Sequence, residues 1–234
     1  MSLNDTAKTM RLACALGLMA AGLSTVTADQ RYVANGTEFD LTGSLVGDQV
    51  GARLAMGANG GYLVWQDNAT DESGLGISAL RVDAAGNPVG APVRINSQLE
   101  GNQEQPRVGL LPGGGAVFAW EGGASGFHRV QYRVANPNGV FLADDILATG
   151  PDSGEQTEPS LAVLKNGNAV LSWTDYLEDG SVKDVSARVI GANGQAVTGP
   201  FRLNDFTRGN QHKSRLAALP GGGFAAVWGS DQQQ

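Results

Sequence analysis

The chain has 234 residues, a formal net charge of −7 and 34 glycines, with 41% hydrophobic and only 6% aromatic residues. It is too apolar to read as disordered and long enough to bury a substantial core, and its glycine content suits many short strands joined by tight turns. Its acidity makes nucleic acid and anionic membrane surfaces poor partners.

Residues 1–28 read as a signal peptide. Lys8 and Arg11 are basic, and the apolar run from Leu12 to Leu23 is too short to span a bilayer as an ordinary helix. Val26-Thr27-Ala28 forms a small-residue cleavage site, with cleavage expected after Ala28. Met10 starts a compact signal by itself. The competing reading is a buried N-terminal helix. The only cysteine, Cys14, falls in this segment, so the mature chain, 29–234, has no thiol for a disulfide, a thiolate metal site or a cysteine nucleophile. The expected setting is secreted, periplasmic or at a bacterial cell surface, with no membrane insertion once the signal is removed.

Residues 36–51, containing GTEFDLTGSLVGDQ, match the last strand and linker of a unit that then recurs. The copies cover approximately 52–105, 106–158, 159–213 and, in part, 214–234. Each opens on a short strand, ARLAM, PRVGLL, PSLAVL or SRLAAL. A glycine-rich turn and a strand ending in tryptophan follow: NGGYLVW, GGGAVFAW, NGNAVLSW and GGGFAAVW. Trp65, Trp120, Trp173 and Trp228 are the only tryptophans, spaced by 55, 53 and 55 residues. In the complete copies a third strand carries Arg81-Val82, Arg133-Val134 or Arg188-Val189. A turn holding Gly86-Asn87-Pro88, Asn138-Gly139 or Asn193-Gly194 leads to the fourth strand.

A second marker keeps step with the first. Gln49, Gln103, Gln156 and Gln211 each follow a glycine and an acid or amide, at spacings of 54, 53 and 55. An amide both donates and accepts, so each glutamine is expected to bridge the backbones of two neighbouring units. Each tryptophan is expected to wedge between units; the competing reading is a row of sugar-stacking platforms.

A four-stranded antiparallel unit of this size, without helices, predicts an all-β chain and one blade of a β-propeller. Residues 36–51 are then the last strand of a blade that the N-terminus completes. The last copy stops after its second strand, so the expectation is a fragment of a larger propeller. A complete four-bladed ring with one thin blade is the alternative.

LPGGGAVFAW, ALRVDAAGNPVGAPVRINS and GNQEQP resemble a repeat of large bacterial secreted and surface proteins, over residues 36–230. The resemblance implies a propeller-like fold and an extracellular setting, and it transfers no catalytic residues. The WD repeat, the sialidase-type Asp box and the kelch repeat fit less well.

Catalytic material is sparse. His128 and His212 stand at non-equivalent places, and the G-x-S-x-G, H-E-x-x-H and phosphate-loop motifs are absent. Acidic loops after the tryptophan strands make Asp67, Asp71, Asp175 and Asp179 candidate calcium ligands, with a solvated hairpin loop as the alternative. No other cofactor is expected. The resulting expectation is a secreted, non-catalytic propeller module binding an extracellular glycan or protein. The alternatives are a propeller-fold glycoside hydrolase or lyase using paired carboxylates and a structural spacer of a larger surface protein.

Overall fold

The computed structural model describes residues 11–12, 38–42, 45–150, 154–176 and 182–231. The expected signal peptide, apart from Arg11 and Leu12, lies outside the described residues, and so does Asp179. Every regular element among the described residues is a strand. A two-residue strand β1 (Arg11–Leu12) pairs antiparallel with β2 (Phe39–Asp40). Three four-stranded antiparallel sheets follow in chain order. Blade one holds β3 (Gln49–Gly57), β4 (Gly60–Asp67), β5 (Gly76–Val82) and β6 (Pro88–Arg94). Blade two holds β7 (Asn102–Leu110), β8 (Ala116–Gly123), β9 (Arg129–Ala135) and β10 (Ile146–Leu147). Blade three holds β11 (Gln156–Val163), β12 (Ala169–Tyr176), β13 (Lys183–Ile190) and β14 (Phe201–Arg202). Blade four has two strands, β15 (Gln211–Ala218) and β16 (Phe224–Ser230). This is a β-propeller arrangement.

Sequence sets the meander locally. Gly86, Gly139 and Gly194 sit at φ 87°, 81° and 80° in the turns between third and fourth strands. The backbone bonds Asp83 N to Asn87 O, Asn136 N to Val140 O and Gly191 N to Gln195 O close these loops at 2.8–2.9 Å. Only the glycine of each Asn-Gly pair takes the left-handed conformation, so these are not the two-residue primed turns that such pairs suggest.

Blade-to-blade packing follows from the period of two along each second strand. Tyr62 and Val64 pack with Phe118 and Trp120 of blade two, the Tyr62 and Phe118 rings meeting edge to face at 5.3 Å. Val117 and Ala119 of blade two pack with Leu171 and Trp173 of blade three. The alternate residues of blade one, Leu63 and Trp65, pack with Leu80 and with Leu41 and Leu45 of the N-terminal segment. That segment therefore covers the face of blade one that a preceding blade covers elsewhere, although β2 itself pairs with β1 and not with β16. Trp65, Trp120 and Trp173 are fully buried, whereas Trp228 is half-buried. The burial of Trp65, Trp120 and Trp173 among apolar residues fits wedges and not exposed stacking platforms. The first strands β3, β7, β11 and β15 touch one another in succession, so they are the innermost strands of the propeller.

Candidate ligand cleft between the first two blades

The linker glutamines are buried at every junction. The side-chain Nε2 of Gln49 donates to Val46 O and Gly47 O, that of Gln103 to Glu100 O and Gly101 O, and that of Gln211 to Arg208 O. In these three the amide closes its own linker turn. Gln156 reaches the neighbouring blade, its Oε1 accepting Val130 N at 3.2 Å while its Nε2 donates to Thr149 Oγ1 at 2.7 Å. Elsewhere the main chain makes the crossing: Gln103 N donates to Leu75 O of blade one at 2.7 Å. Asn96, absent from the expected markers, joins these parts. Its Oδ1 accepts Ile77 N, and its Nδ2 donates to Asp71 Oδ2, Gln98 O and Gln103 Oε1. Asn204 does the same work in blade three, accepting Val185 N and donating to Asp184 Oδ1.

The acidic loops are not gathered into one site. Asp67 Oδ1 accepts Ala69 N, Thr70 N and Thr70 Oγ1 at 2.7–3.0 Å, shaping its own loop. Asp71 accepts Ser73 N on one oxygen and Asn96 Nδ2 on the other. Asp175, in blade three, accepts Ser186 Oγ at 2.9 Å, and burial pushes its carboxyl above the usual range. Among the described residues no group of three His, Cys, Asp or Glu side chains is placed to share a metal ion. His128 lies 3.7 Å from Glu155 and His212 lies 3.6 Å from Asp231, each apart from the other.

Three glutamates gather on blades two and three. Glu104 of β7 stands directly opposite Glu121 of β8, and Glu121 Oε2 accepts the backbone N–H of Glu158 on β11. Burial raises the Glu121 carboxyl above its ordinary pKa; the N–H bond from Glu158 opposes the rise, while the neighbouring Glu104 and Glu158 charges add to it. Glu158 Oε2 in turn accepts Thr174 Oγ1 and Lys213 N.

A departure from the repeat lies one residue beyond Glu121. In strand register the linker glutamine faces an aspartate in blade one (Gln49 with Asp67) and blade three (Gln156 with Asp175), but Gly122 in blade two (Gln103 with Gly122). Where that side chain is missing, a cleft of about 550 Å³ opens between the blade one linker and the β8–β9 hairpin. Glu100, Gly122, Gly123, Phe127, Arg129 and Gln131 line it, together with Gln98, Asp145 and Leu147. A Cβ on Gly122 would come within 3.1 Å of Gln103 Cγ and 3.3 Å of Gln131 Nε2, so an aspartate there intrudes on the cleft. The wall is firm, because Asp145 accepts Ser97 N and Gln98 N at 2.7–2.9 Å and so pins the linker to blade two. Phe127 is 70% exposed at the rim. An exposed ring flanked by a guanidinium, amides and a carboxylate offers an apolar face and directed hydrogen bonds together, and the volume falls within the usual range of small-molecule sites. The sequence signal was the divergent loop EGGASGFHR, whose only acid is Glu121 where the other complete copies carry several.

No family model matches this chain, and no curated protein matches it. Solved structures do. The fold is similar to that of an endo-arabinase from Bacteroides thetaiotaomicron, with a TM-score of 0.52 and 15% identity over 87% of this chain and 78% of that one. It is also similar to an alpha-L-arabinofuranosidase from Fusarium graminearum, with a TM-score of 0.51 and 15% identity over 82% of this chain and 55% of that one. At this identity the likeness establishes the β-propeller fold.

Proposed function

We propose that this chain is an extracellular glycan-binding propeller module whose ligand occupies the cleft between blades one and two. A sugar presents a C–H face to Phe127 and hydroxyl groups to Arg129, Gln131 and Glu100. The observation that carries this reading is the coincidence of the cleft, its exposed aromatic ring and the one complete copy that departs from the repeat. Gln131 faces Trp120 where Ser78 and Ser186 face Trp65 and Trp173, and a specific site needs such asymmetry. Likeness to an endo-arabinase and an alpha-L-arabinofuranosidase supports placing arabino-oligosaccharides in the test panel. A glycan array probed with the full chain is expected to show binding that Phe127→Ala abolishes. Silence across the array sinks the reading.

A second reading, glycoside hydrolysis, is favoured by one observation. Glu121 is a buried carboxyl with a raised pKa beside two other carboxylates, as a general acid requires. Release of reducing ends from a polysaccharide panel, lost in Glu121→Gln, supports it. A wild-type chain without such release removes it.

A further inference from the structure

Arg53, Arg107 and Arg215 occupy one equivalent place, four residues after the linker glutamine on the innermost strands β3, β7 and β15; Ser160 fills it on β11. Each is held by a single nitrogen. Nη1 of Arg53 donates to Ala52 O at 2.7 Å, that of Arg107 to Pro106 O at 2.9 Å and that of Arg215 to Ser214 O at 2.8 Å. A second, longer contact runs from the same nitrogen to the residue before. Nε and Nη2 of all three have no hydrogen-bond partner among the described residues, and no described carboxylate lies within ion-pair distance of any of them.

Arg133 and Arg188, on the third strands, are held differently. Arg133 donates through Nε to Ala143 O and through Nη1 to Ile95 O of blade one. Arg188 donates through Nε to Thr198 O and through Nη1 to Ala148 O of blade two. Each of these two spends Nε on its own blade and Nη1 on a backbone oxygen of the blade before. The forks of Arg53, Arg107 and Arg215 are pinned at one end and open at the other.

Their charges also act on one another. Burial, with the positive charges of Arg53 and Arg215, lowers the Arg107 guanidinium to about 10 against the opposing charge of Glu121, so Arg53 and Arg215 both act on Arg107. Like charges are held close, with Glu121 the opposing charge that acts on Arg107, in a chain that is acidic overall. An oxyanion relieves that repulsion and meets the open forks in bidentate geometry, which lysines would not provide.

We propose that Arg53, Arg107 and Arg215 form an oxyanion-binding site on the innermost strands of the propeller, taking a carboxylate, sulfate or phosphate group. The site is separate from the cleft and stands without it. Isothermal titration of the full chain with sodium sulfate, sodium phosphate and sodium glucuronate, at ionic strength fixed with sodium chloride, tests it. Saturable binding of at least one anion is expected, weakened at least tenfold in both Arg53→Gln and Arg215→Gln and unchanged in Phe127→Ala. Preference for glucuronate assigns the site to acidic saccharides, and preference for an inorganic anion to that ion. Arg53 and Arg215 are exposed, and Arg53→Lys, which keeps the charge but loses the fork, is the second variant if a glutamine variant unfolds. Absence of saturable binding by all three anions, or equal affinity in wild type and the arginine variants, overturns the proposal.

Discussion

The side-chain Oε1 of Gln66 accepts the backbone N–H of Gln105 at 3.0 Å, joining blade one to a left-handed residue of blade two. The same bond recurs around the propeller. Glu121 Oε2 accepts Glu158 N, and Thr174 Oγ1 accepts Lys213 N. The acceptor is always the residue after a tryptophan. The donor is always two residues after a linker glutamine, where Gln105, Glu158 and Lys213 hold φ between 56° and 59° and Gly51 holds 67°. Each sits at a bulge in the pairing of first and second strands. The bulge turns one N–H outward to the preceding blade, and the polar residue after the tryptophan receives it.

A left-handed L-residue costs roughly 1–2 kcal/mol, while glycine's extra freedom in the unfolded chain costs roughly 0.5–1 kcal/mol. Gln105→Gly and Lys213→Gly should therefore be neutral or stabilising by up to about 1 kcal/mol in urea unfolding. Lys213→Val should destabilise. Gln66→Ala, which leaves the exposed Gln105 N–H to water, should cost no more than about 1 kcal/mol.

The tryptophans should differ sharply among themselves. Trp120 is fully enclosed by residues of two blades. Its replacement by alanine should cost about 3–5 kcal/mol. Trp228, half-buried on a two-stranded sheet, should cost clearly less. Chemical denaturation of the two variants side by side checks the order, and equal losses would contradict the inter-blade wedge.

Stability should fall as pH rises through the titration of Glu121. Its folded pKa lies above the ordinary 4.5, chiefly because the carboxyl is buried. Between the unfolded and folded values the native chain keeps a proton that the unfolded chain has lost, so rising pH favours unfolding within that window. Asp175 shifts in the same direction for the same leading cause, so both groups contribute with one sign. Glu121→Gln keeps an oxygen for Glu158 N and removes the titration. Melting temperature measured from about pH 4 to 7 should show a shallower decline in this variant than in wild type.

The blade period, the four tryptophans and the four glutamines are legible in the sequence because each needs a fixed residue type: a large wedge and an amide with donor and acceptor. The staple after the tryptophan is not. Gln66, Glu121 and Thr174 share only an oxygen acceptor, and their partners Gln105, Glu158 and Lys213 offer only a backbone N–H, which any residue but proline supplies. Gly51 alone hints at the left-handed position. The arginines are visible in ARLAM, PRVGLL and SRLAAL, but periodicity cannot say that their forks stay open. The cleft arises from an absence: Gly122 stands where Asp67 and Asp175 stand in the other complete blades, and a missing side chain leaves no motif.

Ligand binding in the cleft can be measured directly. A glycan identified on the array should be titrated into wild type, Phe127→Ala and Gly122→Asp, the last restoring the residue type of blades one and three. The predicted result is at least a tenfold loss of affinity in both variants, with the melting temperature of Phe127→Ala unchanged because its ring is 70% exposed. Equal affinity in all three proteins would contradict a ligand seated between blades one and two.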